Sequence, residues 1–199
     1  MENTYQILSV AGSPDWRAVP QLEISHVLWK PDCGIRAFGA FCHDADSLFV
    51  HLRAVEKHIR AELTAPLSMV CEDSCLEFFF MPEGETRYMN IEINPNGCLY
   101  IGFGHDRHDG VRLIPKNIPA LFDIRTGRTP DGWEVFYRLP LSFLCLFFPS
   151  FSFSGRLRAN VFKCGDLTEQ EHYLSWNPVT SAEPDFHRPQ DFGLMVFRD

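Results

Sequence analysis

The sequence lacks the local signatures that mark many enzymes. It contains no glycine-rich phosphate loop, no Gly-x-Ser-x-Gly nucleophile elbow and no His-Glu-x-x-His pair. The segment Gly102-Phe-Gly104 has only the beginning of a dinucleotide-binding fingerprint. A catalytic role therefore has no support from these common motifs.

The sequence also lacks a secretory leader and a long apolar run. Its first residues show no basic segment followed by an apolar one. The longest apolar stretch, residues 139–153, is interrupted by prolines and serines and is too short to span a bilayer. We therefore expect a cytoplasmic protein that does not enter a membrane, or a secreted one if a leader precedes this sequence.

Positive charge and paired cysteines are both scarce. The 18 Lys and Arg residues stand against 26 Asp and Glu, which leaves a net charge of −8. A phosphate backbone is repelled by this balance, so we expect no nucleic-acid partner. The seven cysteines have no repeating spacing, and Cys71 and Cys75 do not form a Cys-x-x-Cys motif. We expect reduced and mostly buried thiols.

Aromatic residues are abundant: 18 Phe, 5 Tyr and 4 Trp make up 14% of the 199 residues. Such a composition favours β-strands. Runs bounded by turn residues, several of them alternating, predict strands at 35–41, 48–55, 75–81, 87–94, 98–103, 133–139, 156–163 and 192–198, and residues 141–147 predict a helix. The predicted fold is all-β: an antiparallel β-sandwich or jelly roll with one or two short helices, in a single domain spanning residues 1–199.

Two neighbouring strands carry the most informative polar side chains. Residues 75–81 and 87–94 are joined by a short turn, so antiparallel pairing would bring Glu77, Asn90, Glu92 and Asn94 to one sheet face. Carboxylates accept hydrogen bonds and amides both donate and accept, so this face can bind the vicinal hydroxyls of a sugar. A solvated face without a ligand explains the same pattern. A glycosidase that uses Glu77 and Glu92 as acid and base is a further alternative.

Two loop segments add candidate residues. Residues 104–110 contain two His and two Asp, which could bind a divalent metal, although an exposed polar turn is the commoner explanation. Trp176 is flanked by Ser, Asn and Pro, which predicts a loop with an exposed indole that can stack on a sugar ring. A tryptophan that closes the end of the sandwich is the alternative.

Taken in order, these segments resemble the family 9 carbohydrate-binding modules, and more closely the stand-alone family-9-like proteins. The likeness lies in residues 73–79, 88–97 and 133–140, and in the run from 158 to 193 that includes Ser175-Trp-Asn-Pro178. The resemblance implies a non-catalytic β-sandwich that binds a mono- or oligosaccharide, and with it a part in carbohydrate catabolism. An interaction domain that has lost its sugar site is the remaining alternative.

The resemblance also implies roles for particular residues. Sugar-binding members hold the ring between two tryptophans and bond its hydroxyls through Glu, Arg and Asn. Trp176 matches one of these tryptophans and Glu77 matches the acidic residue. The remaining site residues that we expect are Asn90, Glu92, Asn177 and His187.

The expected second tryptophan is missing. The resemblance places it at position 71, where this chain has Cys71. Either one wall of the sugar clamp is absent, or another aromatic residue supplies it, with Tyr100, Tyr173 and Phe186 as the candidates. The resemblance implies no cofactor except a structural calcium ion, for which the sequence shows no evident set of ligands.

Overall fold

The computed structural model describes residues 2–199. Within this range the helices are α1 (Ile118–Phe122) and α2 (Leu141–Leu144), and neither is long and apolar enough to cross a membrane. The strands are β1 (Thr4–Ser9), β2 (Gln21–Ile24), β3 (His26–Val27), β4 (Arg36–His43), β5 (Ser47–Val55), β6 (Cys75–Pro82), β7 (Tyr88–Ile93), β8 (Leu99–Gly104), β9 (Val111–Leu113), β10 (Arg125–Thr129), β11 (Gly132–Pro140), β12 (Arg156–Gly165), β13 (His172–Ser175) and β14 (Gly193–Arg198).

The strands form one curled sheet whose main path runs β10-β11-β5-β4-β1-β14-β12-β6-β7-β8-β9. β2 pairs with β4, and β13 pairs with both β12 and β3. The sheet curls so that strands distant along this path meet in the core: the rings of Phe41 on β4 and Phe78 on β6 are 4.8 Å apart. The predicted all-β sandwich is confirmed.

The sheet is mixed rather than strictly antiparallel. The N-terminal strand β1 lies between β4 and β14 and runs parallel to both. Alternation along a sequence identifies a strand but not the direction of its partner, which is why the antiparallel expectation is wrong for these two pairs. The predicted helix at 141–147 is shorter than expected, and α1 and several short strands were not predicted.

The middle of the sheet is covered on both faces. Along β6, Leu76, Phe78 and Phe80 point into the main core, while Glu77 and Phe79 point to the opposite face. On that second face lie the chain segments around Trp29 and Phe186, which pack against smaller aromatic clusters. These segments do not close the face completely, and a cleft remains between them and the strands.

Candidate functional site

A cleft of about 400 Å³ lies over β6, β7, β8 and β12 on the face opposite the main core. It combines aromatic rings with several carboxyl groups, a combination suited to a polar ligand that has an apolar face. The residues that line it are Trp29, Met69, Cys71, Glu77, Glu92, Tyr100, Arg107, Cys164, Asp166, Tyr173, Pro184, Asp185, Phe186 and His187.

The floor of the cleft is formed by two carboxyl groups side by side. Glu77 on β6 and Glu92 on β7 are direct cross-strand partners, and their exposed fractions are only 2% and 7%. The Cys164 thiol donates to Oε1 of Glu77 at 2.9 Å, and the Asn90 amide donates to Oε1 of Glu92 at 2.7 Å. Within residues 2–199 the second oxygen, Oε2, of each carboxyl group receives no hydrogen bond, so the floor offers free acceptors to a ligand.

The surroundings of these carboxyl groups raise their pKa values. For Glu77 the main cause is burial, and the neighbouring charge of Glu92 adds to it. Burial raises the pKa of Glu92 to about 7, against the opposing effect of the Asn90 hydrogen bond. Burial also raises the pKa of Asp166 at the edge of the cleft. The anionic forms of all three groups are therefore poorly stabilised by the protein alone.

Asn90 acts behind the floor rather than in it. Its side chain is 3% exposed, does not line the cleft and holds Glu92 in place. A Cβ atom at Gly102, its cross-strand neighbour on β8, would lie 2.3 Å from the Asn90 Oδ1 atom. A side chain at position 102 would push against the Asn90 amide, which holds Glu92.

The aromatic wall is built from residues that are far apart in the sequence. The Trp29 ring centroid lies 5.4 Å from that of Tyr173 and 5.5 Å from that of Phe186. Phe186 in turn stacks on the buried Phe162 at 4.0 Å. These contacts fix the rings of the wall before any ligand arrives, which lowers the entropy lost on binding.

Trp29 is held in an unusual backbone conformation. Its φ angle is +52°, in the left-handed region that bulky residues rarely adopt, and its indole Nε1 donates to the Ser181 carbonyl oxygen at 2.8 Å. Strain of this kind concentrates at ligand sites, where the surrounding structure maintains it. Trp29 is therefore the strongest aromatic candidate for ligand contact.

Three of the predicted site residues line the cleft: Glu77, Glu92 and His187. The Nδ1 atom of His187 lies 2.6 Å from the Tyr88 hydroxyl, and burial lowers its pKa to about 4. At neutral pH the imidazole is therefore uncharged, and it shares a hydrogen bond with the Tyr88 hydroxyl. The aromatic residues named as replacements for the missing tryptophan, Tyr100, Tyr173 and Phe186, also line the cleft.

The prediction of an exposed indole at Trp176 is wrong. Its backbone N–H donates to the Val161 carbonyl oxygen, which continues the pairing of β13 with β12 by one residue. Alternation then places Trp176 on the same side as Leu174, and its ring is 5% exposed within the main core. The alternative, a tryptophan packed within the sandwich, describes it better.

Two further asparagines have structural roles. Asn177 is 7% exposed and lies outside the cleft, where its Nδ2 atom donates to the Asp191 carbonyl oxygen. Asn94 donates to the carboxylate of buried Asp73 and accepts from the backbone N–H of Cys98. Both side chains hold loops in place, and neither meets the carboxyl groups of the floor.

Three cleft residues were not predicted from the sequence: Trp29, Asp166 and Arg107. Trp29 precedes Lys30-Pro31, which is a loop signal, so its sequence context indicates a loop tryptophan as that of Trp176 does. Asp166 lies just beyond β12, and Arg107 belongs to the polar turn at 104–110. No local pattern could have joined these three positions.

Calcium is poorly matched to the described side chains. In the turn at 104–110, the carboxylate of Asp109 already accepts bonds from His105, and both side chains are about half exposed. Within residues 2–199, the one group of three metal-ligating side chains close together is Cys75, Glu77 and Cys164. Two thiols and one carboxylate do not suit calcium, which takes six to eight oxygen ligands. All seven cysteines have unpaired thiols.

A second cavity, of about 510 Å³, lies beside Glu56 and His172. It has no Phe, Tyr or Trp side chain in its lining. The carboxylate of Glu56 is already paired with the buried Lys163 ammonium at 3.3 Å. The aromatic cleft therefore offers more to a ligand than this larger cavity does.

Comparison with known proteins agrees with this architecture. The family model for carbohydrate-binding family 9 matches residues 13–197. A crystal structure from Bacteroides uniformis ATCC 8492, provisionally described as a carbohydrate-binding protein, shares 24% identity with a TM-score of 0.86, over 100% of both chains. No curated protein sequence matches this chain.

Two solved structures of a family 9 carbohydrate-binding module from Caldicellulosiruptor kristjanssonii share the fold. The complex with cellotriose is 12% identical, with a TM-score of 0.67 over 98% of this chain and 93% of that one. The complex with glucose is 14% identical, with a TM-score of 0.66 over 97% and 95% of the two chains.

Proposed function

This chain belongs to carbohydrate-binding family 9, and from that premise we propose that it binds a sugar, without cleaving it, in the cleft over Glu77 and Glu92. One observation carries the proposal: a wall of aromatic rings stands beside buried carboxyl groups whose second oxygens are free. A pyranose has an apolar C–H face and polar edges, and this cleft meets both requirements.

The aromatic wall contributes the apolar contact. Trp29, Tyr173 and Phe186 border the cleft with rings held by one another, so a sugar face can stack without reorganising them. Such stacking releases water from two apolar surfaces, and a few aromatic residues of this kind usually dominate the affinity of a site. In this proposal Trp29 takes the part that the sequence assigned to Trp176.

The floor contributes orientation. Glu77 and Glu92 present their Oε2 atoms as acceptors for sugar hydroxyls, while Asn90 and Cys164 hold the Oε1 atoms. Because the two residues are adjacent across antiparallel strands, their acceptors suit neighbouring groups on one ring. The cleft volume of about 400 Å³ is at the small end of ligand sites, which favours a short saccharide or a chain end.

The same geometry favours binding over hydrolysis. Glycosidases place their two carboxyl groups on either side of the scissile bond. Glu77 and Glu92 instead lie side by side on one floor. We expect no release of reducing sugar from oligosaccharides, and release that depends on both residues would favour the hydrolase alternative.

An interaction domain without a sugar site fits this face less well. Such a domain would present an exposed apolar patch. Here the aromatic rings border a groove lined by carboxyl groups, and burying those groups against a protein partner would be costly. Sugar binding therefore remains the better explanation of the cleft.

The experiment compares two half-buried tryptophans. Trp29 lines the cleft, whereas Trp16 packs against His51 and Phe136 elsewhere in the fold. After a glycan array has identified a bound sugar, calorimetry should show that Trp29→Ala weakens its affinity by about 30-fold or more, as expected for an aromatic hot spot. Trp16→Ala should retain the wild-type affinity. Equal affinity of Trp29→Ala and wild type, or no binding on the array, would contradict the proposal.

A further inference from the structure

The cleft contains far more negative than positive charge. Four carboxyl groups line it, those of Glu77, Glu92, Asp166 and Asp185, and Arg107 is its one Lys or Arg side chain. The Arg107 guanidinium donates to the Pro184 carbonyl oxygen and, within residues 2–199, forms no ion pair with any of the four carboxyl groups. The carboxyl groups are therefore left without a matching set of cations.

Elsewhere in the fold, buried carboxylates have such partners. Glu56 lies 3.3 Å from the Lys163 ammonium, and Asp191 lies 2.9 Å from the Arg188 guanidinium. Across residues 2–199, no Lys, Arg or His nitrogen lies within 4.0 Å of a carboxylate oxygen of the four cleft residues. Buried charges are normally paired, so the buried and unpaired Glu77 and Glu92 in one cleft point to a partner that arrives with the ligand.

The free atoms define what that partner must supply. The Oε2 atoms of Glu77 and Glu92 lack donors, and both side chains are more than nine-tenths buried at the base of the cleft. Around them stand the rings of Trp29 and Tyr173, whereas the Tyr100 ring already has the Arg112 guanidinium 4.3 Å from its centroid. A compact cation with several N–H donors would bond both carboxylates and face electron-rich rings at the same time.

We propose that the cleft selects a sugar that carries a protonated amine, an unacetylated amino sugar, with the ammonium group held between Glu77 and Glu92. The inference rests on the proposed function, since it assumes that a sugar binds in this cleft. A hydroxyl group also donates to a carboxylate, but it cannot offset the negative charge that each buried carboxyl group acquires when it ionises. An ammonium group supplies three donors and neutralises that charge in a site with little water.

The test uses three β-1,4-linked trisaccharides that differ only at carbon 2. These are cellotriose with a hydroxyl, chitotriose with an acetylated amine and the fully deacetylated chitosan trimer with free amines. Calorimetry at pH 7 should give an affinity for the chitosan trimer at least about tenfold higher than for the other two, the factor that one charge-assisted hydrogen bond supplies. The preference should shrink at high salt, which screens the charges.

Two matched substitutions locate the effect. Glu92→Gln keeps the acceptor for Asn90 but removes the charge, and should lower the preference for the amine by about threefold or more. Glu23→Gln makes the same chemical change on exposed β2, and should leave the preference intact. A preference that survives in both Glu92→Gln and Glu77→Gln would show attraction by the net charge alone and overturn the inference.

The outcomes separate this inference from the proposed function. If cellotriose binds and the chitosan trimer binds no tighter, the charge selectivity is wrong and sugar binding stands. If a glycan array shows no binding of any sugar, both fail together. Tight binding of the acetylated trimer in preference to the free amine would also overturn the inference, because acetylation removes the charge.

Discussion

On the core side of β12, the Lys163 ammonium lies 3.3 Å from the Glu56 carboxylate, whereas Cys164, one residue further, faces the cleft and the unpaired Glu77. The Glu56 carboxylate on the core side has further hydrogen-bond donors: it accepts from Trp133 Nε1 at 2.5 Å and from Ser74 Oγ at 3.0 Å. On the cleft side, no cation among residues 2–199 lies within 4.0 Å of the Glu77 carboxyl group, and its Oε2 atom has no donor among them.

The two faces of one sheet thus treat buried charge in opposite ways. A charge that serves only the fold must be paired and hydrogen-bonded, because removing it from water is otherwise too costly. The cleft keeps carboxyl groups whose pKa values are raised by burial, and the rest of the fold must compensate for that cost. Such an arrangement is typical of a site where a ligand completes the pairing. The following predictions test this contrast.

The largest expected effect on stability distinguishes Trp176 in the main core from Trp29 in the cleft. Trp176→Ala should lower the free energy of unfolding by about 3–5 kcal/mol, because the indole is buried in the main core. Trp29→Ala, on the cleft side, should change stability far less while weakening sugar binding. Urea denaturation followed by circular dichroism measures both. A small loss for Trp176→Ala would show that its ring is not part of the packed core.

The next prediction concerns the ion pair between Lys163 and Glu56 on the core side. Lys163→Met should destabilise the protein by about 3 kcal/mol, since Glu56 is left buried without its cation but keeps two other donors. Adding Glu56→Gln to this variant should restore part of the loss, and the same denaturation measurements compare the single and double variants. If the double variant is less stable than Lys163→Met, the unpaired charge of Glu56 is not the cause of the destabilisation.

The smallest effect is the pH dependence of stability that the carboxyl groups of the cleft cause. Folding raises the pKa of Glu92 from 4.5 to about 7, so the native state holds a proton that the unfolded state has released between these values. Stability should therefore fall as pH rises from about 4.5 to 7. Glu92→Gln should reduce this fall and be about 1–2 kcal/mol more stable than wild type at pH 8, with no such advantage at pH 4.5. Glu77 shifts in the same direction, so part of the dependence should remain. An equal difference at both pH values would show that the effect does not come from titration.

Local patterns in the sequence predicted much of the fold. The alternation in 48–55 and 87–94 identified β5 and β7, because successive side chains of a strand point to opposite faces and the face toward the core needs apolar residues. The same alternation brought Glu77 and Glu92 to one face, where the structure has them as direct partners. The parallel partners of β1 and the short strand β13 escaped prediction, since pairing between distant segments leaves no mark in either one.

The candidate site was predictable only in part. Its floor comes from two neighbouring strands, and both carboxyl groups were found. Its wall needs Trp29 to meet Tyr173 and Phe186 across more than a hundred residues, and no local signal connects them. The prediction for Trp176 was wrong because its Ser, Asn and Pro neighbours are typical of a loop. Its backbone instead extends the pairing of β13 with β12 by one residue.

The sequence by itself determined an acidic, aromatic-rich β protein with Glu77 and Glu92 on a common face, because side-chain alternation and residue chemistry are local properties. Only the tertiary structure decided which tryptophan packs in the core and which borders the cleft, and which carboxylates find a cation. Those outcomes depend on how the sheet curls and which distant segments cover it. Lys163 and Cys164 are neighbours in the sequence, but they point to opposite faces of one strand. Lys163 therefore pairs with Glu56 on the core side, whereas Cys164 contacts Glu77, which has no ion-pair partner, on the cleft side.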